Sequence, residues 1–173
     1  MEGFGEKSYA NLIASVDKAR STTLAKVVYG LGIAGIGLAQ MKRYKGLLAR
    51  RKEIIRKYDE AFKPLGIDVL NHYTEDHQSS GHLYITRVPG ISLEQRQEII
   101  VKMAEEGIAC NVHYKPLAMM TAYKNMGFDI KDYPNAYKRF ENEITLPLHT
   151  KLTDEDVEYV IKNYCEIVKQ YIW

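Results

Sequence analysis

The chain has 173 residues, of which 46% are hydrophobic and 27% charged, and a net charge of +2, which fits one globular domain or one domain with a smaller appendage. No apolar run approaches the roughly 20 residues that cross a bilayer, and the start Met1-Glu2-Gly3-Phe4 lacks a secretory pattern, so a cytoplasmic protein with no membrane partner is expected. The only cysteines, Cys110 and Cys165, are too few and too far apart for a disulfide framework or a zinc site, and both are expected to be buried, inert thiols.

The charge is uneven. Residues 1–62 hold 12 Lys/Arg against 6 Asp/Glu, and residues 63–173 hold 12 against 16, which marks two pieces with different surroundings. In the first piece, Leu12, Ile13, Val16 and Ala19 have helical spacing. A second helix over 24–29 is expected to end at Gly30-Leu31-Gly32, and a third to begin after Gly35-Ile36-Gly37. Glycine turns at helix starts leave backbone N–H groups free for an anion, so Gly3, Gly5, Gly35 and Gly37 are candidate contacts to DNA phosphates. From Leu38 an apolar stripe through Met41, Leu47, Leu48, Ile54, Ile55, Tyr58, Ala61 and Phe62 predicts one long helix that ends before Pro64 and Gly66. Its Lys/Arg residues read as a solvated face, because Glu53, Asp59 and Glu60 interleave with them.

The remainder predicts an α+β unit in which a small, mostly antiparallel sheet is covered by helices. Strands are expected at 82–88, 108–114 and 143–146, and helices at 93–106, 118–126 and 134–140. Thr153 with Asp156 three residues on forms a capping pair for a last helix with Val157, Val160, Ile161, Tyr164 and Val168 on one face. Residues 71–80 read as a polar loop in which His72 and His77 titrate freely. His82 and Tyr84 are expected to share a sheet face.

Two family resemblances attach to these residues. Gly3-Phe4-Gly5-Glu6-Lys7-Ser8, Asn11-Leu12 and the run from Tyr29 to Gly37 resemble the helix-hairpin-helix repeats of bacterial NAD-dependent DNA ligases. The likeness covers residues 2 to about 39 and lacks that family's nucleotidyl-transfer lysine and Cys-rich module, so it implies weak, nonspecific DNA binding and no ligase activity. The second resemblance covers residues 36–173. Val112-His113-Tyr114-Lys115-Pro116-Leu117, Ile144-Thr145-Leu146-Pro147-Leu148-His149 and the helix opening at Gly37-Leu38-Ala39 resemble the C-terminal small domain of DegT/StrS-type nucleotide-sugar aminotransferases. These are dimeric enzymes of PLP fold type I that use pyridoxal phosphate (PLP). Together the two divide the chain into a helix-hairpin-helix-like segment, 1–37, and an aminotransferase small domain, 38–173, led by its long helix 38–62. They imply a chimera.

The aminotransferase resemblance makes His113 and Tyr114 the substrate-binding candidates, with the nucleotide-sugar as ligand. A histidine at a strand end, followed by a proline that turns the chain, is placed where loops carry function; the alternative is a framework histidine held by hydrogen bonds. No lysine sits in a segment resembling the family's Schiff-base lysine, so no catalytic residue is assigned, no PLP is expected to bind this chain alone, and the chain is read as inactive by itself. His82, His113 and His149 lack metal-ligand spacing, and no metal is expected. The rings of Tyr123, Phe128, Tyr133, Tyr137 and Phe140 form either a stacking surface for a nucleotide or a cap on the core. Self-association, as a dimer, is expected through apolar surface on helix 38–62.

Overall fold

The computed structural model describes residues 14–15 and 24–172, and the chain divides into two compact units, Met1–Gly46 and Leu47–Trp173. Helix α1 is Leu24–Phe62. This corrects the expected glycine turns: Gly30, Gly32, Gly35 and Gly37 all lie inside the helix, and none has a positive φ. Glycine permits a turn without requiring one. Its cost inside a helix is about 1 kcal/mol relative to alanine, and extending an existing helix is far easier than nucleating a new one. Gly3, Gly5 and the helical run expected through Leu12, Ile13, Val16 and Ala19 lie outside the described residues, apart from Ala14 and Ser15, which are helical.

The second unit is built on a three-stranded antiparallel sheet in the order β1 (Asp68–Val69), β2 (Tyr84–Arg87), β3 (Glu143–Leu146). Tyr84 pairs with Leu146 and Arg87 with Glu143. Around it lie helices α2 (Leu93–Glu105), α3 (Thr121–Asn125), α4 (Pro134–Phe140) and α5 (Asp154–Ile172). The core joins Ile54, Ile55, Tyr58 and Phe62 of α1 to Tyr84 of β2, Ile99 and Met103 of α2, Ile144 of β3, and Val157, Tyr164 and Val168 of α5, all 0–1% exposed. Its aromatic centre pairs Tyr58 with Tyr84 at 4.9 Å and Phe62 with Tyr164 at 5.1 Å. Each buried tyrosine hydroxyl finds a partner: Tyr58 donates to the Pro147 carbonyl at 3.0 Å, Tyr84 to Asp59 at 2.8 Å, and Tyr164 shares a 2.6 Å bond with Thr86.

Helix ends follow local chemistry. Ser92 and Gln95 form a reciprocal capping box at the start of α2. Thr153 and Asp156 do the same before α5, with bonds of 2.9 and 3.1 Å. Arg50 reaches Asp154 at 2.8 Å and the Leu152 carbonyl at 2.7 Å, so the start of α5 is tied to α1.

Several expectations change. The apolar residues from Ile54 to Phe62 are buried in this domain's own core, so helix 38–62 does not offer one continuous apolar face; Leu38, Met41 and Tyr44 remain exposed. The strand expected over 108–114 shrinks to a bridge at Asn111, which exchanges backbone bonds with Thr145 of 3.1 and 2.8 Å. Side chains stop the ladder there, because the Val112 amide donates to Asn111 Oδ1 and the His113 amide to Glu143. His82 is exposed while Tyr84 is buried, because β2 begins only at Tyr84.

The polar loop over 71–80 contains a Tyr73–Gln78 bridge and encloses His72. That ring lies 6.0 Å from Tyr84 in a stacked arrangement, with Nδ1 3.1 Å from Ser79 Oγ and Nε2 without a partner. Burial holds its pKa below the ordinary histidine value, so His72 does not titrate freely. His77 is exposed but bonded to Thr74 and Asn71. Cys110 and Cys165 are half-buried, and burial raises both thiols, Cys110 to about 12.

Candidate substrate-facing site at His113

Glu143 and Thr145 alternate along β3 and therefore share one face of the strand. Both are 95% buried. A polar pair there needs partners, and the segment that follows Asn111 supplies them. Glu143 Oε1 accepts from the His113 amide at 2.8 Å and from the Thr145 hydroxyl at 3.0 Å. His113 Nδ1 lies 3.0 Å from that same hydroxyl.

The direction of these bonds assigns the imidazole tautomer. The Thr145 hydroxyl has one proton and gives it to Glu143, so it accepts from His113, and Nδ1 carries the ring proton. Nε2 is then the basic nitrogen, with no hydrogen-bond partner among the described residues. His113 is half-buried, and Tyr114 is 70% exposed with its ring edge-on to the imidazole at 4.7 Å. The buried carboxylate thus holds the histidine through a hydroxyl, and the ring presents an acceptor at the surface. Such an arrangement can accept a hydrogen bond from a hydroxyl or an ammonium group.

Nδ1 of His113 is held by the framework, as the framework alternative expects, and Nε2 has no hydrogen-bond partner among the described residues. The sequence reading did not single out Glu143 and Thr145, the two residues that hold His113. Their signal was the polar-apolar alternation of Glu143-Ile144-Thr145-Leu146 in a strand next to the histidine segment. Among the described residues no three His, Cys, Asp or Glu side chains gather as a metal site.

The aromatic set separates. Phe140 is buried, with the Arg96 guanidinium 4.7 Å from its ring centre. Tyr123, Phe128 and Tyr133 instead form a chain of ring contacts, 6.0 and 6.5 Å between centres, along a groove downstream of His113.

Residues 33–164 match the model of the DegT/DnrJ/EryC1/StrS aminotransferase family. The chain is 32% identical to the spore coat polysaccharide biosynthesis protein SpsC of Bacillus subtilis, over 79% of this chain and 36% of SpsC. It is 28% identical to a UDP-4-amino-4,6-dideoxy-N-acetyl-beta-L-altrosamine transaminase of Helicobacter pylori, over 73% of this chain and 34% of that protein. Among solved structures, Spr1654 of Streptococcus pneumoniae, described as a sugar aminotransferase, superposes with a TM-score of 0.77 at 56% identity, over 79% of this chain and 34% of that one. Spr1654 has been solved in PLP and PMP forms. The chain thus spans about a third of the length of these relatives. Separately, 42 residues are 64% identical to part of the DNA ligase of Lachnoclostridium phytofermentans, which is 24% of this chain and 6% of the ligase. Among the described residues no helix is long and apolar enough to cross a membrane.

Proposed function

The chain belongs to the DegT/DnrJ/EryC1/StrS aminotransferase family, and we propose that residues 38–173 act as the small domain of a PLP-dependent sugar aminotransferase, facing its nucleotide-sugar substrate with His113 and Tyr114. The observation that carries this reading is the His113 tautomer, held through Thr145 by buried Glu143, which leaves Nε2 without a hydrogen-bond partner among the described residues. In this role His113 Nε2 accepts a hydrogen bond from a sugar hydroxyl or amine, and the exposed Tyr114 ring lines the same side.

We infer that the described residues do not by themselves make a PLP site. The cofactor's aldehyde needs an enclosed lysine, and none of the described lysines is buried. The nearest in sequence to His113, Lys115, is exposed. We therefore assign no transamination to this chain by itself. Borohydride reduction after mixing with PLP should trap no single specific lysine; one unique adduct would overturn that assignment. A graft of residues 38–173 in place of the matching third of Spr1654 should transaminate. In that hybrid, His113→Ala should weaken substrate binding, while in this chain it should lower stability by about 1 kcal/mol, the value of one ordinary hydrogen bond. A hybrid that binds PLP yet handles its substrate equally well with and without the imidazole contradicts the assignment.

The ligase-like stretch favours a second reading of the N-terminal segment: the chain is a chimera that joins it to the small domain. In α1 the Gly35 and Gly37 amides lie within helical backbone, and no glycine turn presents them to a phosphate. DNA binding through Gly3, Gly5, Gly35 and Gly37 then requires that helix to open. A gel shift at low salt that Gly35→Asp and Gly37→Asp abolish supports the module; no retardation removes it. We further propose self-association through the exposed residues Leu38, Met41 and Tyr44 of α1.

A further inference from the structure

We propose that Arg96 is a positioning residue for His113: its buried cation keeps Glu143 a carboxylate, and that carboxylate fixes which imidazole nitrogen carries the proton. The inference rests on the substrate-facing reading of His113 for its functional consequence, and on the folded domain alone for the rest.

Among the described residues, Arg96 and Glu143 are the two buried residues with a formal charge, each 5% exposed and opposite in sign. A charge taken out of water needs a counter-charge or strong hydrogen bonds. Arg96, in the first turn of α2, donates from Nη1 to the Phe140 carbonyl at 3.2 Å, and its guanidinium carbon lies 4.7 Å from the centre of the Phe140 ring. Nε has no partner among the described residues. These contacts hold the cation against the segment that enters β3, three residues before Glu143. Among the described residues no carboxylate forms an ion pair with it, so the two charges act on each other through the interior, where screening by water is weak. Burial lowers the Arg96 pKa, and Glu143, then Tyr137, oppose that shift. Coulomb attraction is mutual, so the cation supports the Glu143 charge in turn.

A neutral side chain could do the structural part, since a glutamine amide also donates to a carbonyl. The charge has its use at Thr145. That hydroxyl has one proton and two acceptors at equal distance, Glu143 Oε1 at 3.0 Å and His113 Nδ1 at 3.0 Å. Hydrogen bonds to an ionised acceptor are roughly twice as strong as those between neutral groups. With Glu143 ionised, the proton goes to the carboxylate, Nδ1 keeps its own, and Nε2 is an acceptor. With Glu143 neutral the preference weakens, the hydroxyl donates to Nδ1, and the ring proton moves to Nε2. Arg96 thereby sets whether Nε2 accepts or donates.

The test is nitrogen-15 NMR of the neutral His113 imidazole in the 173-residue chain, which distinguishes Nδ1–H from Nε2–H. Wild type should be mainly Nδ1–H. Arg96→Gln, which keeps a donor for the Phe140 carbonyl and removes the charge, should make Nε2–H the main form, and Arg96→Lys, which keeps the charge, should retain Nδ1–H. Nδ1–H persisting in Arg96→Gln, or lost equally in Arg96→Lys, would overturn the proposal, as would a wild-type ring that is mainly Nε2–H. If Arg96→Gln does not fold, Thr145→Val leaves both charges in place and removes the hydroxyl between Glu143 and the ring. Loss of the Nδ1–H preference there supports the proposal, and its persistence overturns it. The substrate-facing reading is decided separately, by transamination and substrate binding in the Spr1654 hybrid, so either can fail without the other.

Discussion

The two halves of α1 both carry large apolar residues and are opposite in environment. Leu31, Ile33, Ile36, Leu38 and Met41 in the first half are 54–67% exposed, whereas Ile54, Ile55, Tyr58 and Phe62 in the second are 0–1% exposed. The second set falls within one face of the helix, whereas the first is spread around it, so only the second half carries a stripe that a neighbouring element can cover. Spacing decides that a segment is helical; burial is decided by whether another element offers a matching apolar face. Downstream of Gly46, Tyr84 of β2 and Tyr164 of α5 offer it.

The largest expected effect follows from that contrast. Phe62→Ala should cost about 3–5 kcal/mol, because it empties the aromatic centre of the core, whereas Leu38→Ala should change stability by no more than about 0.5 kcal/mol. Urea denaturation measures both. A loss above about 2 kcal/mol for Leu38→Ala would mean that the first half is packed in solution.

Glycines probe the same difference more gently. At Gly81, where φ is +60°, an added Cβ would lie 2.9 Å from Ile55 Cδ1 and 3.3 Å from Arg51 Cβ, so Gly81→Ala should lose about 1–3 kcal/mol to backbone strain and crowding. At Gly35 an added Cβ meets nothing within 4 Å. Gly35→Ala should instead stabilise the helix by about 0.5–1 kcal/mol, seen as increased helicity by circular dichroism. Reduced helicity would argue that a glycine turn forms there after all.

The third effect depends on pH. Burial is the main cause of the lowered His72 pKa; Asp59 opposes the shift and Lys63 adds to it. The unfolded chain therefore takes up the proton first as the pH falls. His72 stabilises the fold in full above the unfolded value of about 6.5, and that contribution is lost as the pH falls toward the lower folded value. Urea midpoints measured from pH 7.5 to 5 should decline over this window, and His72→Gln should flatten the decline. An unchanged slope would place the sensitivity elsewhere.

The smallest effect concerns association. Leu38→Glu with Met41→Glu should shift sedimentation toward monomer at tens of micromolar (~10⁻⁵ M, the range of modest interfaces) while leaving the urea midpoint nearly unchanged. If wild type already sediments as a monomer, the proposed self-association is wrong.

Much of the fold was legible because its signals are local. Residues 134–140 and 143–146 form a helix and a strand with the expected bounds, set by Pro134 at the helix start and by the alternation of β3. The Thr153–Asp156 cap needs only its own four residues. Strand β1 went unread because two residues, Asp68 and Val69, carry no periodicity. The candidate site was half legible: the string around His113 pointed to the histidine, but Glu143 and Thr145, 30 and 32 residues away, are joined to it only in the folded domain.

The sequence by itself determined the helices near 93–105, 134–140 and 154–172, the Thr153 cap, the alternation of β3 and the strings that place the chain in its family, since each depends on neighbours along the backbone. The tertiary structure decided what depends on distant partners. It buried one apolar half of α1 and left the other exposed, enclosed a histidine in a polar loop against Tyr84, and set the His113 proton on Nδ1. Each outcome depends on which faces and lone pairs meet when β2, β3 and α5 come together, and no spacing along the chain specifies that.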